Sequence, residues 1–203
     1  IFHTMIHNDK LYVSAMNGTF VMDLDTDKFK WLCRNAQSFT IDKEENIWIL
    51  IGTSLIRMEL ANPDNQKNYA LPRYGIQFEP KRIITTHDGN IYCVVLGGGL
   101  YRYDKQADSF IHYSQGSGHL LSNYCYNVAE TNSGELLVTS DKGVTFLNPS
   151  NGKARFATLG ANLPITSIAD GCGILVCRNN ELFVGGNDGL TSFYQEDLDK
   201  KEK

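Results

Sequence analysis

The groups able to do chemistry are five histidines, five cysteines and 23 acidic residues. His3 and His7 have the spacing of a helical metal pair, yet their neighbours read as a β-strand. On a strand the two imidazoles share a face but stand about 13 Å apart, too far for one ion. His87, His112 and His119 have no identifiable partner. Asp88, Glu130, Asp141 and Asp188 are the carboxylates that could pair for glycoside hydrolysis, which needs two acids about 5–10 Å apart. Most of them sit where turn chemistry already accounts for them. There is no Gly-x-Ser-x-Gly elbow and no phosphate loop followed by Lys-Ser/Thr. Gly97-Gly98-Gly99 lies between two strands rather than ahead of a helix, so it reads as a turn, and Gly116-Ser117-Gly118 as a loop flexure. Asn17-Gly18-Thr19 fits a glycosylation acceptor but is read as a hairpin turn. No catalytic residue, metal ligand or cofactor is expected.

Cys33, Cys93, Cys125, Cys172 and Cys177 are odd in number and scattered, a poor disulfide framework. Cys33, Cys93, Cys125 and Cys177 lie inside apolar runs and are expected to be small buried hydrophobes. The 203 residues carry a formal charge of −4, 42% hydrophobic residues and dispersed Lys and Arg. That is a folded protein with enough chain for a sizeable core, and not an electrostatic binder of nucleic acid. No apolar run approaches the roughly 18–20 residues of a membrane-spanning helix. The sequence opens on Ile1 and is expected to be part of a longer polypeptide.

The elements that must position these groups come as a repeat. Asp9–Asp23, Glu45–Glu59, Gly89–Asp104, Gly134–Asn148 and Asn180–Tyr194 share one pattern: a polar turn, a short β-rich run, a second turn and a second run. Aligned on Leu11, Ile47, Ile91, Leu136 and Leu182, they recur at intervals of 36, 44, 45 and 46 residues. Glycine marks the second turn at Gly18, Gly99, Gly143 and Gly189, with Ser54 departing from the pattern. Several strands per unit at such a period point to an all-β protein, a β-propeller of about five four-stranded blades. The blades are expected at about 1–35, 36–75, 76–116, 117–160 and 161–194, with the fifth stopping after its third strand and 195–203 a charged tail or linker. Each unit has two apolar faces and must stack to bury both. An incomplete arc of a larger, seven-bladed propeller is expected, with a closed five-bladed ring as the alternative. Inner strands such as Arg82–Thr86 and Tyr124–Glu130 would line the axis.

Within this frame Leu120–Asn148 resembles the two-component regulator propeller repeat, in which Leu, a small residue and Ser-Asn lead into a valine-containing strand, a turn and a Gly-marked hairpin. Leu163-Pro164-Ile165-Thr166, Glu181–Phe193, Ile47-Trp48 and Gly99–Asp104 echo it, so the resemblance spans nearly the whole chain. It implies the periplasmic sensor region of a hybrid two-component histidine kinase. Two propellers and an Ig-like domain there precede a membrane helix, a kinase with its phosphorelay, and often a DNA-binding output. Members commonly detect oligosaccharides and regulate genes for glycan use. The fragment itself would bind without catalysing, against the remaining blades, the Ig-like domain and a possible homodimer partner. The rival expectations are a protein-interaction scaffold and a carbohydrate-active hydrolase.

A propeller ligand is expected where loops leading into the inner strands meet the turns between middle strands. Sugar recognition there calls for flat aromatics and hydrogen-bonding side chains. The loops offer Arg73, Tyr74, His119, Asn123, Tyr124 and Asn162, and the turns add Asp141, Lys142, Asn187 and Asp188. Trp48 is read as core between blades.

Overall fold

The computed structural model describes residues 2–34, 36–161, 163 and 165–199. It is built of consecutive antiparallel sheets, each following the chain from first strand to last. Blade one comprises β1 (His3–His7), β2 (Lys10–Ala15), β3 (Gly18–Asp23) and β4 (Phe29–Arg34). Blade two is β5 (Ala36–Ile41), β6 (Asn46–Ile51), β7 (Ser54–Glu59) and β8 (Gln66–Ala70). Blade three is β9 (Glu79–Thr85), β10 (Ile91–Leu96), β11 (Gly99–Asp104) and β12 (Ser109–Tyr113). Blade four is β13 (Cys125–Glu130), β14 (Leu136–Ser140), β15 (Gly143–Leu147) and β16 (Ala154–Thr158). Among the described residues blade five has three strands, β17 (Ile174–Val176), β18 (Glu181–Gly186) and β19 (Gly189–Tyr194), before α1 (Gln195–Asp199).

The alternation of side chains along a strand decides the stacking. All six residues of β10 are buried. Ile91, Cys93 and Val95 pack with Trp48, Leu50 and Ile83 of the blade two–three core. Tyr92 and Val94 turn the other way, into the core with Cys125, Val128 and Leu136 of blade four. A third cluster joins blades one and two around Phe39, and a fourth joins blades four and five around Phe146 and Val184. Among the described residues no such cluster joins blade five to blade one. Leu175 and Leu190 of blade five, and Phe29 and Trp31 of blade one, are accordingly exposed.

Trp48 is core, as its sequence position implies. It clusters with Tyr69 and Tyr103, with ring centroids 5.5 and 4.7 Å away. Its indole N–H donates to the buried Asp42 carboxylate at 2.7 Å, and that carboxylate also accepts the Glu44 and Asn46 backbone N–H groups. The residue two before each repeat's aligned Leu or Ile is left-handed in all five blades: Asp9, Glu45, Gly89, Gly134 and Asn180. A glycine or a short polar residue takes that conformation at least cost, and Glu45 is the exception.

Two expectations need correction. Cys93 and Cys125 are buried, and burial pushes their thiols well up, but Cys33 and Cys177 are only half-buried. Cys33 lies on β4, the last strand of blade one, and Cys177 follows the end of β17 in blade five, the two blades at the ends of the stack. Of the charged segment after residue 194, the described residues 195–199 do not simply dissolve into solvent: they form α1, which buries Leu198 in the blade four–five core.

Gly143 and Gly189 hold matching backbone angles, φ +140° and +136°. A Cβ at Gly143 would overlap the Ala157 carbonyl of the fourth strand, whereas Gly189 has open space because no fourth strand is described there. Gly189→Ala should therefore cost about 1–3 kcal/mol of backbone strain alone, and Gly143→Ala measurably more. Urea unfolding of both variants checks this, and equal losses would contradict the close-approach account.

Candidate axial ligand site

The first strand of each blade is an edge, and its outward N–H groups need partners. In β9 two of them find partners on side chains of blade two. Ser38 Oγ accepts from Ile83 N at 3.3 Å and Thr40 Oγ1 from Thr85 N at 2.9 Å. Asn127 Nδ2 donates to the Cys172 carbonyl at 3.2 Å. This stitching draws the first strands together around the axis.

Three of those strands carry a bulge at the same place. The pairing of β5, β9 and β13 skips Gln37, Lys81 and Tyr126. A bulge re-aims its side chain, and all three residues line one depression at the leading ends of the first strands. That cavity, about 470 Å³, also has Phe2, Arg82, Asn127 and Asp170 in its wall. A second cavity of about 550 Å³ adjoins it, sharing Phe2, Arg82 and Asn127 and adding His3, Glu130 and Ile174. Residues of all five blades thus surround a space within the usual size range for small-ligand sites.

Charges in this wall are unequally compensated. Lys81 Nζ is bracketed by Glu79 at 2.6 Å and Asp170 at 2.5 Å. Burial opposes its charge, but the two carboxylates outweigh that and raise its pKa. Arg82 has no ion pair among the described residues, its Nε is buried without a partner, and burial lowers its pKa. His3 packs tilted against Phe39, ring centroids 4.7 Å apart. Burial, then the charge of Arg82, push its pKa down to about 4, so the ring is neutral at pH 7.

The residues anticipated from sequence lie elsewhere. Arg73 spans the Phe78 ring at 5.9 Å and donates to the Ile76 carbonyl at 2.8 Å, which closes its own loop. Tyr74 lies flat on His112, centroids 4.2 Å apart, and leaves its other face exposed. His119 packs edge-on to Tyr113 and beside Gly152 of the β15–β16 loop. Asn123 Oδ1 accepts from Gln115 N, and its carbonyl from Gly99 N, so it ties two loops. Tyr124 is half-exposed and its carbonyl accepts from Asp141 N at 3.2 Å, the pairing that brings these two together. Lys142 is an exposed turn residue whose carbonyl accepts from Leu159 N. Asp188 accepts from Thr166 N and Oγ1, which holds its carboxyl below the usual range, and Asn187 is exposed beside it. Asn162 lies outside the described residues. None of these lines the axial cavities. The residues that do were legible only as polar side chains at matching places in successive first strands: Gln37, Lys81 and Tyr126, then Ser38, Arg82 and Asn127.

Another cleft of about 550 Å³ runs between blades four and five, along Asn132, Glu135, Arg155, Asn180 and Gln195. Its groups bond one another: Asn132 to Cys177 and Asn180, Glu135 to Arg155 and Gln195. It is a blade seam. No cluster of metal-ligating side chains occurs among the described residues. Asp88 and Asp188 are carboxylates whose hydrogen bonds hold them below the usual range, the opposite of the raised pKa a general acid needs.

No protein-family model and no curated protein matches this sequence. Solved structures do share its fold. The extracellular domain of BT3049, assigned to a hybrid two-component system of B. thetaiotaomicron, superposes with a TM-score of 0.78 at 16% identity over 99% of this chain. The extracellular domain of BT4673 from the same organism gives 0.75 at 17% identity over 96%. The chain spans 28% and 26% of those two structures. Virginiamycin B lyase from Staphylococcus aureus gives 0.68 at 15% identity, with 94% of this chain and 68% of the lyase covered. At such identities the likeness establishes the fold, a β-propeller shared by sensors and an enzyme.

The His3 environment has a measurable consequence. Between its ordinary pKa of 6.5 and the folded value of about 4, the unfolded chain binds a proton that the folded chain refuses. Stability from this group is complete above pH 6.5 and is lost as the pH falls toward 4. Thermal melts at pH 7 and pH 5 should show His3→Gln losing roughly 2–4 °C less than the native sequence. Equal losses would mean that His3 is not held neutral by its surroundings.

Proposed function

We propose that this chain is the ligand-sensing propeller segment of an extracytoplasmic, two-component sensor protein, and that it binds an oligosaccharide or a related polar ligand without transforming it. The observation that carries this reading is the axial depression, where Gln37, Lys81 and Tyr126 are turned inward by bulges at one blade position. Tyr126 also packs against the blade four–five core and Lys81 pairs with Asp170 across blades, yet a wall of inward-turned polar and aromatic side chains suits flat sugar rings edged with hydroxyls. The structural likeness to extracellular domains of BT3049 and BT4673 supports a sensing role and a periplasmic location. Ligand occupancy would bias how blades and neighbouring domains pack, and that bias would pass to a kinase elsewhere in the polypeptide.

A second reading, a protein-interaction scaffold, is favoured by the uncovered apolar residues of the two end blades, Phe29 and Trp31 at one end and Leu175 and Leu190 at the other. Further blades, an Ig-like domain of the same polypeptide or a second protomer would cover them. The likeness to virginiamycin B lyase keeps an enzymatic reading in view, but Asp88 and Asp188 are held below the usual carboxylate range, the opposite of what a general acid needs.

Calorimetric titration with a panel of neutral and acidic oligosaccharides distinguishes these readings. Saturable heat with no product is expected, with Tyr126→Ala weakening the interaction roughly tenfold. Product release would favour an enzyme, and silence toward every glycan, with capture of a defined domain by the end blades, would favour the scaffold.

A further inference from the structure

Buried polar atoms nearly always have partners, so the exceptions point to missing groups. Six buried side-chain atoms among the described residues lack one, and three of them belong to the axial wall: Arg82 Nε, Gln37 Oε1 and His3 Nδ1. Their chemistry is complementary to one kind of molecule. Arg82 is a donor with an uncompensated positive charge, since the neighbouring carboxylates Glu79 and Asp170 are taken by Lys81. A buried guanidinium without a counterion is costly, and an anion relieves it. Gln37 Oε1 and His3 Nδ1 are acceptors. The His3 ring is neutral, and in the tautomer protonated at Nε2 its Nδ1 presents a lone pair. A simple inorganic anion would answer Arg82 and leave both acceptors empty. A molecule with a carboxylate beside hydroxyl donors answers all three.

We propose that the axial depression binds an acidic sugar, a uronic acid or a uronate-bearing oligosaccharide, with its carboxylate on Arg82 and its hydroxyls donating to Gln37 and His3. This rests on the sensing reading above and narrows it to a ligand class. Phe2 and Tyr126 stand in the same wall and offer apolar surface for the pyranose ring. Arginine suits the carboxylate because its planar fork can engage both oxygens, whereas Lys81, held by two acids, can serve only as the fixed side of the wall.

The test is titration of the protein at pH 7 with D-glucuronate, D-galacturonate, D-glucose and sodium sulfate, followed by calorimetry and by the Nε–H resonance of Arg82. The native sequence is expected to bind at least one uronate tenfold or more tightly than glucose and to shift that resonance. Arg82→Gln should lose the preference, Arg82→Lys should recover part of it, and Gln37→Leu should weaken uronate binding with the preference for acid retained. Arg82→Gln should melt no lower than the native sequence in anion-poor buffer, because it removes an uncompensated charge. If it fails to fold, the resonance shift and the uronate-to-glucose ratio of the native protein still decide the matter. Sulfate competing as well as uronates would overturn the proposal in favour of an inorganic anion. Neutral sugars bound as tightly as uronates would overturn it and leave the sensing reading intact, and no binding by any sugar would remove both.

Discussion

Every blade in this protein depends on being covered from two sides. A strand such as β10, with all six side chains buried, has no solvent face at all, and its odd and even residues belong to different cores. No single sheet could remain folded with both faces bare, because each fully buried aliphatic or aromatic side chain contributes about 1.5–3 kcal/mol only when something covers it. Radial stacking satisfies that demand for the middle blades and leaves it unmet at the two ends, where Trp31 and Leu190 meet solvent.

The same stacking creates the axial site as a by-product of edge chemistry. The first strands cannot pair with a further strand on the axial side, so their N–H groups turn to Ser38 and Thr40 of the blade before. Close approach of successive first strands follows, and a small central space is left over. Bulges then decide what fills its wall. By skipping Gln37, Lys81 and Tyr126, they face polar and aromatic groups inward at a level where core packing would favour valine or isoleucine. The wall holds one satisfied cation, one unsatisfied cation and a histidine kept neutral. Lys81 and His3 also tie blades together, through Asp170 and Phe39, but a buried Arg82 without a counter-charge costs stability.

Much of the scaffold was readable from residues alone. The repeat showed itself through the polar turns ahead of Leu11, Ile47, Ile91, Leu136 and Leu182, and those turns are where the backbone goes left-handed in every blade. The glycines at 18, 99 and 143 marked a real steric need, since a Cβ at each would run into the carbonyl of the fourth strand. The wall of the axial depression was less readable. Arg73, Asp188 and Asn123 have the composition of a ligand loop, yet their polar groups are consumed by their own turns. Loop polarity alone does not separate a side chain that waits for a ligand from one that closes a turn. His119 lies beside Gly152 of the β15–β16 loop, which no local pattern predicts.

By itself, the sequence settled the all-β character, the number of modules, the hairpin positions and the core role of Trp48, because period-two burial and turn stereochemistry are local properties written every few residues. The tertiary structure alone decided which polar side chains face the axis, that Arg82 would be left without a counter-charge, and that Leu198 would return to the core. Those outcomes depend on a one-residue slip in pairing and on distances between strands about 45 residues apart. A slip of one residue sends a side chain to the opposite face, so facing can be known only once the partner strand is in place.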